Sequence, residues 1–130
     1  MRIRTVVLIL LLGAVAVLRL QPSPQPDRIR VVGLIKVKAE RVADFEALIK
    51  RMTSRTKGND RGNVRYEFFR TSAPLAPSLG SDKRSADYVF FEEWTDQGSL
   101  DAHLKWALPI LQTEWKSLTE GTEFLRLAPI

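Results

Sequence analysis

Residues 63–70 read NVRYEFFR and residues 87–95 read DYVFFEEWT, two short runs that are rich in aromatic and β-branched side chains. Apolar and charged residues alternate in the first run, and this period of two is typical of a strand with one buried face. Three apolar residues are expected to share that face: Val64, Tyr66 and Phe68. We therefore predict two neighbouring strands in the middle of the domain, joined by a loop over residues 71–86 that is long for a hairpin connection.

A strand and a helix come before this pair of strands. Residues 29–37 (IRVVGLIKV) are rich in β-branched side chains and predict a strand. Residues 40–56 place apolar side chains at helical spacing, with basic side chains on the other faces. The segment KGNDRG ends this helix, and Gly58 is the residue expected just past its C-terminus.

A second helix and a last strand follow the pair. Asp96 or Ser99 can cap this helix, and we expect it to be bent or split near Pro109 before Gly121 ends it. Residues 122–127 then predict the last strand. The order β-α-β-β-α-β specifies a ferredoxin-like α+β sandwich, in which two helices cover one face of a four-stranded sheet.

The other face of such a sheet has no helix to cover it. A domain of about 100 residues is small for a self-sufficient core if it also exposes an aromatic sheet. We therefore expect a homodimer in which the sheets of two copies face each other.

The composition excludes several classes of site. The chain has 130 residues, enough for one domain of ordinary size, with no cysteine and one histidine. Disulfides, thiolate metal sites and a cysteine nucleophile are therefore excluded, and zinc, which usually takes two or three histidines, is not expected. Three of the 20 basic residues lie in the first 20 positions, so the remainder is nearly neutral despite a formal charge of +5. Nucleic acid is therefore not an expected partner.

The N-terminal segment predicts export or membrane attachment. Residues 1–20 (MRIRTVVLILLLGAVAVLRL) have the basic start and apolar run of a signal peptide, and a short N-terminal membrane anchor is the alternative. Cleavage near Ala16 and retention of the segment both stay open. Residues 21–27 form a proline-rich linker to a domain over residues 28–130. We expect that domain outside the cytoplasm, on the periplasmic or extracellular side.

Three motifs follow one another along the domain: residues 62–69 (GNVRYEFF), residues 88–94 (YVFFEEW) and residues 99–104 (SLDAHL). In this order they resemble the antibiotic biosynthesis monooxygenase (ABM) domain family, and the resemblance covers residues 29–130. It implies a dimeric α+β barrel. Members of the family include small monooxygenases that oxidise quinols, anthrones and related polycyclic phenols with O2 and without flavin, haem or metal, so the resemblance implies no cofactor.

The chain departs from the family pattern at two places. Many members carry a second histidine a few residues after the Ala-His pair, where this chain continues with Lys105, and the loop over residues 71–86 is longer than usual. Relatives that degrade haem use an asparagine, a tryptophan and a histidine. Asn63 matches that asparagine, but His103 stands at the position of the tryptophan, so the degradation of haem is not predicted.

Oxygenation without a cofactor requires a base that deprotonates a phenol or enol in a dry pocket. His103 is the only side chain here with an unperturbed pKa near neutrality. We therefore select His103 as a candidate catalytic base, with an ordinary structural histidine as the alternative.

Glu92 is the second candidate base, because it shares a strand face with three aromatic residues. Desolvation in such a place raises the pKa of a carboxyl group toward neutrality. The alternatives for Glu92 are an ion pair across the dimer, for instance with Arg65 or Arg70, and a hydrogen bond to the backbone. Glu93 points to the opposite face, where we expect it to be solvated.

Further candidates surround these two residues. The amide of Asn63 could orient O2 or a substrate oxygen, and the hydroxyl of Tyr66 could donate to a developing anion. The alternatives are a turn residue for Asn63 and a packed core ring for Tyr66. Four aromatic side chains are candidate substrate-binding walls, with core or interface packing as the alternative: Phe68, Phe90, Trp94 and Trp106.

The leading function is therefore cofactor-independent monooxygenation of a quinol-like or polyphenolic small molecule with O2. The alternative is a non-catalytic small-molecule-binding or stress-response dimer module on the same fold, and a third possibility is a dimer that serves only interaction. An enzyme needs His103 or Glu92 at a pocket within reach of Asn63 or Tyr66. A binding module needs the pocket without a base, and an interaction protein would fill the pocket with its own aromatic side chains.

Overall fold

The computed structural model describes residues 27–72 and 86–130, and within them it confirms the ferredoxin-like α+β fold. Four antiparallel strands form one sheet in the order β2-β3-β1-β4. The strands are β1 (Ile29–Val37), β2 (Asn63–Arg70), β3 (Tyr88–Trp94) and β4 (Thr119–Leu127). The helices are α1 (Val42–Asn59), which follows a short 3-10 turn (Ala39–Arg41), and α2 (Gln97–Ile110).

Three predictions fall wholly or largely outside the described residues. They concern the signal peptide or anchor in residues 1–20, nearly all of the linker in residues 21–27, and most of the loop in residues 71–86. Within residues 27–72 and 86–130, no helix is long and apolar enough to cross a membrane.

The register of the sheet determines which side chains meet the helices. Val31 of β1 lies opposite both Glu92 of β3 and Arg126 of β4, and Tyr66 of β2 lies opposite Glu92. Side chains that lie directly opposite each other share a face of the sheet. These four residues, which we call the cross-sheet row, therefore bring a phenol, a carboxyl group and a guanidinium to the helix-covered face.

A bulge changes the pattern at the start of β2. The pairing with β3 shifts between Asn63 and Arg65, so Val64 is an extra residue that β3 does not match. Val64 is consequently 39% exposed. The prediction that it shares the buried face with Tyr66 and Phe68 is wrong, because the period of two holds only after the bulge.

Each helical region was predicted to end at a glycine, and neither does. α1 continues through Gly58, and the backbone N–H of Asp60 still donates to the carbonyl of Thr56 at 3.0 Å. The second helical region ends at Leu118. Gly121 therefore lies inside β4 rather than at a helix end, and β4 begins earlier than predicted.

The second helix begins at the predicted cap and changes its winding after Pro109. The carboxylate of Asp96 accepts a hydrogen bond from the backbone N–H of Ser99 at 2.8 Å. Pro109 has no N–H to donate, and the chain widens just beyond it into a π-helical segment (Leu111–Trp115) before a last helical turn (Lys116–Leu118). The bend or split predicted near Pro109 is thus a change from α-helical to π-helical winding.

The sheet face away from the helices is partly apolar. Phe69 is 53% exposed and Leu125 is 42% exposed on this face. Glu93 lies on the same face but is buried, because Arg28 and Arg30 bind its carboxylate at 3.1 and 3.4 Å. The expectation that Glu93 is solvated is therefore wrong.

We expect Gly62→Ala to lower the free energy of unfolding by about 1–2 kcal/mol or more, since the left-handed backbone conformation costs this much for a residue with a Cβ. Gly62 has a φ of +77°, and an added Cβ would also lie 2.7 Å from the Cβ of Ser99. Gly58→Ala is the control, because it lies in α1 with nothing within 4 Å of an added Cβ. That change should stabilise the helix. Urea unfolding measures both, and equal effects would contradict the strain assigned to Gly62.

Candidate functional site

A cavity of about 280 Å³ lies between the sheet and the second helical region. Aliphatic and aromatic side chains form most of its wall, and Trp115 and Phe124 are among them. Four polar or charged side chains line it as well: Tyr66, Glu92, His103 and Arg126. Three of these four residues belong to the cross-sheet row, so the register of the sheet determines which side chains form the floor of the cavity.

His103 projects from α2 and is almost completely buried at the cavity wall. Its Nδ1 lies 2.7 Å from Oδ2 of Asp60. Burial lowers the pKa of His103, and the hydrogen bond and charge of Asp60 oppose that shift. A neutral ring that donates from Nδ1 to the carboxylate keeps a lone pair on Nε2. We therefore assign Nε2 as the proton-accepting atom.

Asp60, the partner of His103, is a site residue that was not predicted from the sequence. It follows the end of α1, and its carboxylate also accepts hydrogen bonds from the indole N–H of Trp106 at 3.1 Å to each oxygen. The guanidinium of Arg55 lies 4.1 Å from the ring centre of Trp106. Trp106 thus supports Asp60 and is not part of the cavity lining, so its contact with a substrate stays a prediction.

Glu92 lies on the floor of the cavity and is 5% exposed. Its Oε2 has no hydrogen-bond partner within the described structure and lies 4.0 Å from Nε2 of His103. Desolvation raises the pKa of Glu92 to about 7. Within the chain itself, Arg70 binds Glu46 and Arg65 lies over the ring of Phe91. The alternative ion pair of Glu92 across a dimer stays a prediction.

Tyr66 completes the polar part of the cavity. Its ring meets the His103 ring edge-on, with 5.3 Å between the ring centres. Burial, and then the charge of Glu92, raise the pKa of Tyr66 well above its ordinary value. Its hydroxyl therefore keeps its proton near neutrality and can serve as a hydrogen-bond donor.

Two of the four predicted aromatic walls line the cavity. Phe68 and Phe90 are stacked with 4.5 Å between their ring centres, and both face the cavity. Trp94 is fully buried outside the cavity lining, with its ring centre 4.7 Å from that of His103. Trp94 therefore packs behind His103 and helps to fix the orientation of the imidazole.

Asn63 lies apart from the central cavity. Its side-chain amide donates to the carbonyl of Arg65 at 2.9 Å, and it lines a separate polar pocket together with Asp60 and Tyr66. The structure thus brings His103, Glu92 and Tyr66 together and leaves Asn63 at the bulge of β2. A direct contact between Asn63 and a substrate remains a prediction.

The polar groups of the cavity can exchange protons. His103 supplies a neutral acceptor, and Glu92 supplies a carboxyl group that titrates near neutrality, 4.0 Å away. Across the described ranges, no three His, Asp or Glu side chains come together in a way that could hold a metal ion.

The fold is similar to those of several solved protein structures. The chain is similar to a conserved protein from Methanosarcina mazei Go1, with 24% identity, a TM-score of 0.62 and coverage of 79% of this chain and 93% of that one. It is similar to a mutant of SnoaB, a cofactor-independent oxygenase from Streptomyces nogalater, with 21% identity, a TM-score of 0.59 and coverage of 79% and 93%. A dabb family protein with a ferredoxin-like fold from Mesorhizobium loti gives 17% identity, a TM-score of 0.56 and coverage of 79% and 97%.

At these identities the solved structures establish the fold. No curated protein matches the sequence significantly. The model of the family described as antibiotic biosynthesis monooxygenase matches residues 28–107, which is more than half of the chain. The protein therefore belongs to the antibiotic biosynthesis monooxygenase family.

Proposed function

We propose that the domain is a cofactor-independent monooxygenase that acts with O2 on a quinol-like or polyphenolic small molecule. One observation carries this proposal: His103 and Glu92 face each other at 4.0 Å inside an apolar cavity. Family membership and the similarity of the fold to that of SnoaB, a cofactor-independent oxygenase, support it. The reaction uses no flavin, haem or metal, because an electron-rich substrate supplies the electrons itself.

The first step is deprotonation of a substrate hydroxyl. Nε2 of His103 accepts this proton, and the carboxylate of Asp60 stabilises the imidazolium that forms. The resulting phenolate lies in a largely apolar cavity, where the hydroxyl of Tyr66 can donate to its oxygen. An electron-rich anion in such a place can pass one electron to O2, which forms a substrate radical and superoxide.

The two radicals combine at a ring carbon and form a peroxide anion. Glu92, in its protonated form, gives this anion a proton. Cleavage of the O–O bond then releases hydroxide as the ring carbon loses its hydrogen to the Glu92 carboxylate, and the hydroxide takes the proton from His103. One quinol and one O2 thus become one hydroxylated quinone and one water, and the substrate provides all four electrons.

The direct test measures O2 consumption by the purified full-length chain with a reduced naphthoquinone and with an anthrone. We expect saturable uptake of one O2 per substrate after treatment with a chelator and without added flavin. With 18O2, one labelled atom should enter the organic product and the other should enter water. Heat-unfolded protein is the control for spontaneous oxidation by air.

Two other results would overturn the proposal. Production of hydrogen peroxide without labelled product would show an oxidase. Ligand binding that raises the melting temperature without O2 uptake from any quinol or anthrone would show a binding module. An interaction-only dimer is disfavoured, because the aromatic side chains leave a cavity of about 280 Å³ unfilled.

We also propose that two copies pair through the open sheet face. The exposed apolar side chains Phe69 and Leu125 support this pairing, because a monomer gains little by leaving them in water. Sedimentation equilibrium should give twice the chain mass. Residues 1–20 are the basis for a further proposal, that the domain is exported or tethered to a membrane, where this segment contacts the lipid.

A further inference from the structure

Of the four polar or charged side chains that line the cavity, Arg126 is the one that has no role in the proposed reaction. Among the described residues that line the cavity, it is the only Lys or Arg. It comes from β4, an edge strand of the sheet, and it is itself exposed. Phe124, two positions before it on the same face, is 43% exposed. Arg126 therefore lies where the cavity meets solvent.

The guanidinium of Arg126 is held without a neutralising carboxylate. Its Nη1 donates to the side-chain oxygen of Gln97 at 3.1 Å, and the amide nitrogen of Gln97 donates to Asp101 at 2.7 Å. Within residues 27–72 and 86–130, no carboxylate forms an ion pair with Arg126. The positive charge is thus positioned at the start of α2 and remains available to an anion.

The cross-sheet row fixes the separation between this charge and the reacting end. Arg126 and Glu92 are the two neighbours of Val31 on its opposite sides, so their backbones are two strand spacings apart, roughly 10 Å. Both side chains rise from the same face of the sheet. A ligand that reaches His103 and Glu92 with a hydroxyl group can therefore reach Arg126 with its other end if it contains about two fused rings.

The walls between these two ends suit a flat, apolar body. Phe90 lies two positions before Glu92 on β3, and Phe124 lies two positions before Arg126 on β4. Their ring centres are 6.3 Å apart, so the two rings lie beside the space between Glu92 and Arg126. The cavity volume of about 280 Å³ lies at the small end of the range for small-molecule sites. A body of two or three fused rings is the size that this space favours.

We propose that the substrate is an acidic polycyclic phenol, whose carboxylate or similar anionic group binds Arg126 while its hydroxyl group faces His103 and Glu92. This inference rests on the proposed function and specifies its substrate class. Arg126 is then a specificity-determining residue, because it touches the substrate but takes no part in proton or electron transfer.

The test compares two probes that differ by one carboxylate, 6-hydroxy-2-naphthoate and 2-naphthol. Their dissociation constants are measured by fluorescence titration of the full-length protein under nitrogen, so that no turnover is required. We expect the wild type to bind the naphthoate at least about tenfold more tightly, and we expect added salt to reduce this preference. Arg126→Gln should remove the preference and leave the affinity for 2-naphthol within about twofold.

Arg65→Gln is the matched control, because Arg65 is a cation on the opposite face of the sheet, over the ring of Phe91. It should leave the preference unchanged. Equal binding of the two probes by the wild type, retention of the preference in Arg126→Gln, or no binding of either probe would overturn the inference. If the wild type prefers the naphthoate but consumes no O2 with any substrate, the inference is supported and only the oxygenase reaction is refuted. If it consumes O2 but binds both probes equally, the oxygenase reaction is supported and the inference is refuted.

Discussion

His103→Asn should lower kcat for the O2-dependent reaction by about 10²–10⁴-fold, the usual contribution of a positioned general base. The asparagine amide can still donate a hydrogen bond toward Asp60, but it offers no basic nitrogen at the position of Nε2. Ligand binding under nitrogen should change much less than kcat, because the apolar walls remain. Circular dichroism and probe binding show whether the variant is folded, and a folded variant with more than a third of the wild-type kcat would contradict the assignment.

Asp60→Asn tests the positioning residue behind His103. The carboxylate of Asp60 raises the pKa of His103 against the effect of burial, so its loss should lower that pKa further. The acid limb of the pH–rate profile should then move to lower pH, while kcat falls less than in His103→Asn. Asp44→Asn is the control, because Asp44 forms an exposed ion pair with Arg41. A loss of activity without any shift of the acid limb would indicate a purely structural role for Asp60.

The wild-type profile should be bell-shaped, because the mechanism needs a neutral His103 and a protonated Glu92. Activity should rise with pH through the pKa of His103, which burial places below its ordinary value. It should fall again as Glu92 loses its proton near pH 7. Both limbs are properties of the His103–Glu92 pair rather than of either residue alone.

The sequence was sufficient to predict the burial of Glu92, because the alternation along β3 is a local property of the backbone. Tyr88, Phe90 and Trp94 occupy the same face, so the carboxyl group between them had to share their surroundings. The order of elements was predictable for the same reason, since each strand and helix follows from a period that is visible within about ten residues.

Asp60 could not be found in this way, because its partner His103 is 43 positions away in the sequence. The contact exists only after the end of α1 packs beside α2, and no spacing in the sequence reports that packing. The same packing directs the indole N–H of Trp106 to Asp60, a hydrogen bond that the sequence did not predict. The bulge that exposes Val64 was likewise invisible, because the mismatch involves the partner strand.

Glu92→Gln should stabilise the protein above pH 7 by about 3 kcal/mol, because a buried amide avoids the cost of a buried charge. The pKa of Glu92 is raised from 4.5 to about 7. In the unfolded chain the carboxyl group loses its proton near its ordinary pKa, whereas in the folded protein it keeps the proton until about pH 7. The stability that Glu92 contributes is therefore fully present below about pH 4 and is lost as the pH rises to about 7.

The measurement is urea unfolding of the wild type and the variant at pH 4.5, 6 and 8. The difference in the free energy of unfolding should be small at the lowest pH and should grow to its full value at the highest. Glu67→Gln is the matched control, because Glu67 is an exposed carboxylate on the opposite face of the same sheet. It should change stability by less than about 0.5 kcal/mol at each pH.

The same substitution separates a structural role of Glu92 from a chemical one. A carboxyl group that serves only packing can be replaced by glutamine with a gain in stability and no loss of turnover. In the proposed reaction the glutamine has no proton to give to the peroxide, so the more stable variant should lose at least about 100-fold in kcat. A variant that is more stable and fully active would remove Glu92 from the mechanism, and one that is no more stable at pH 8 would contradict the burial of its charge.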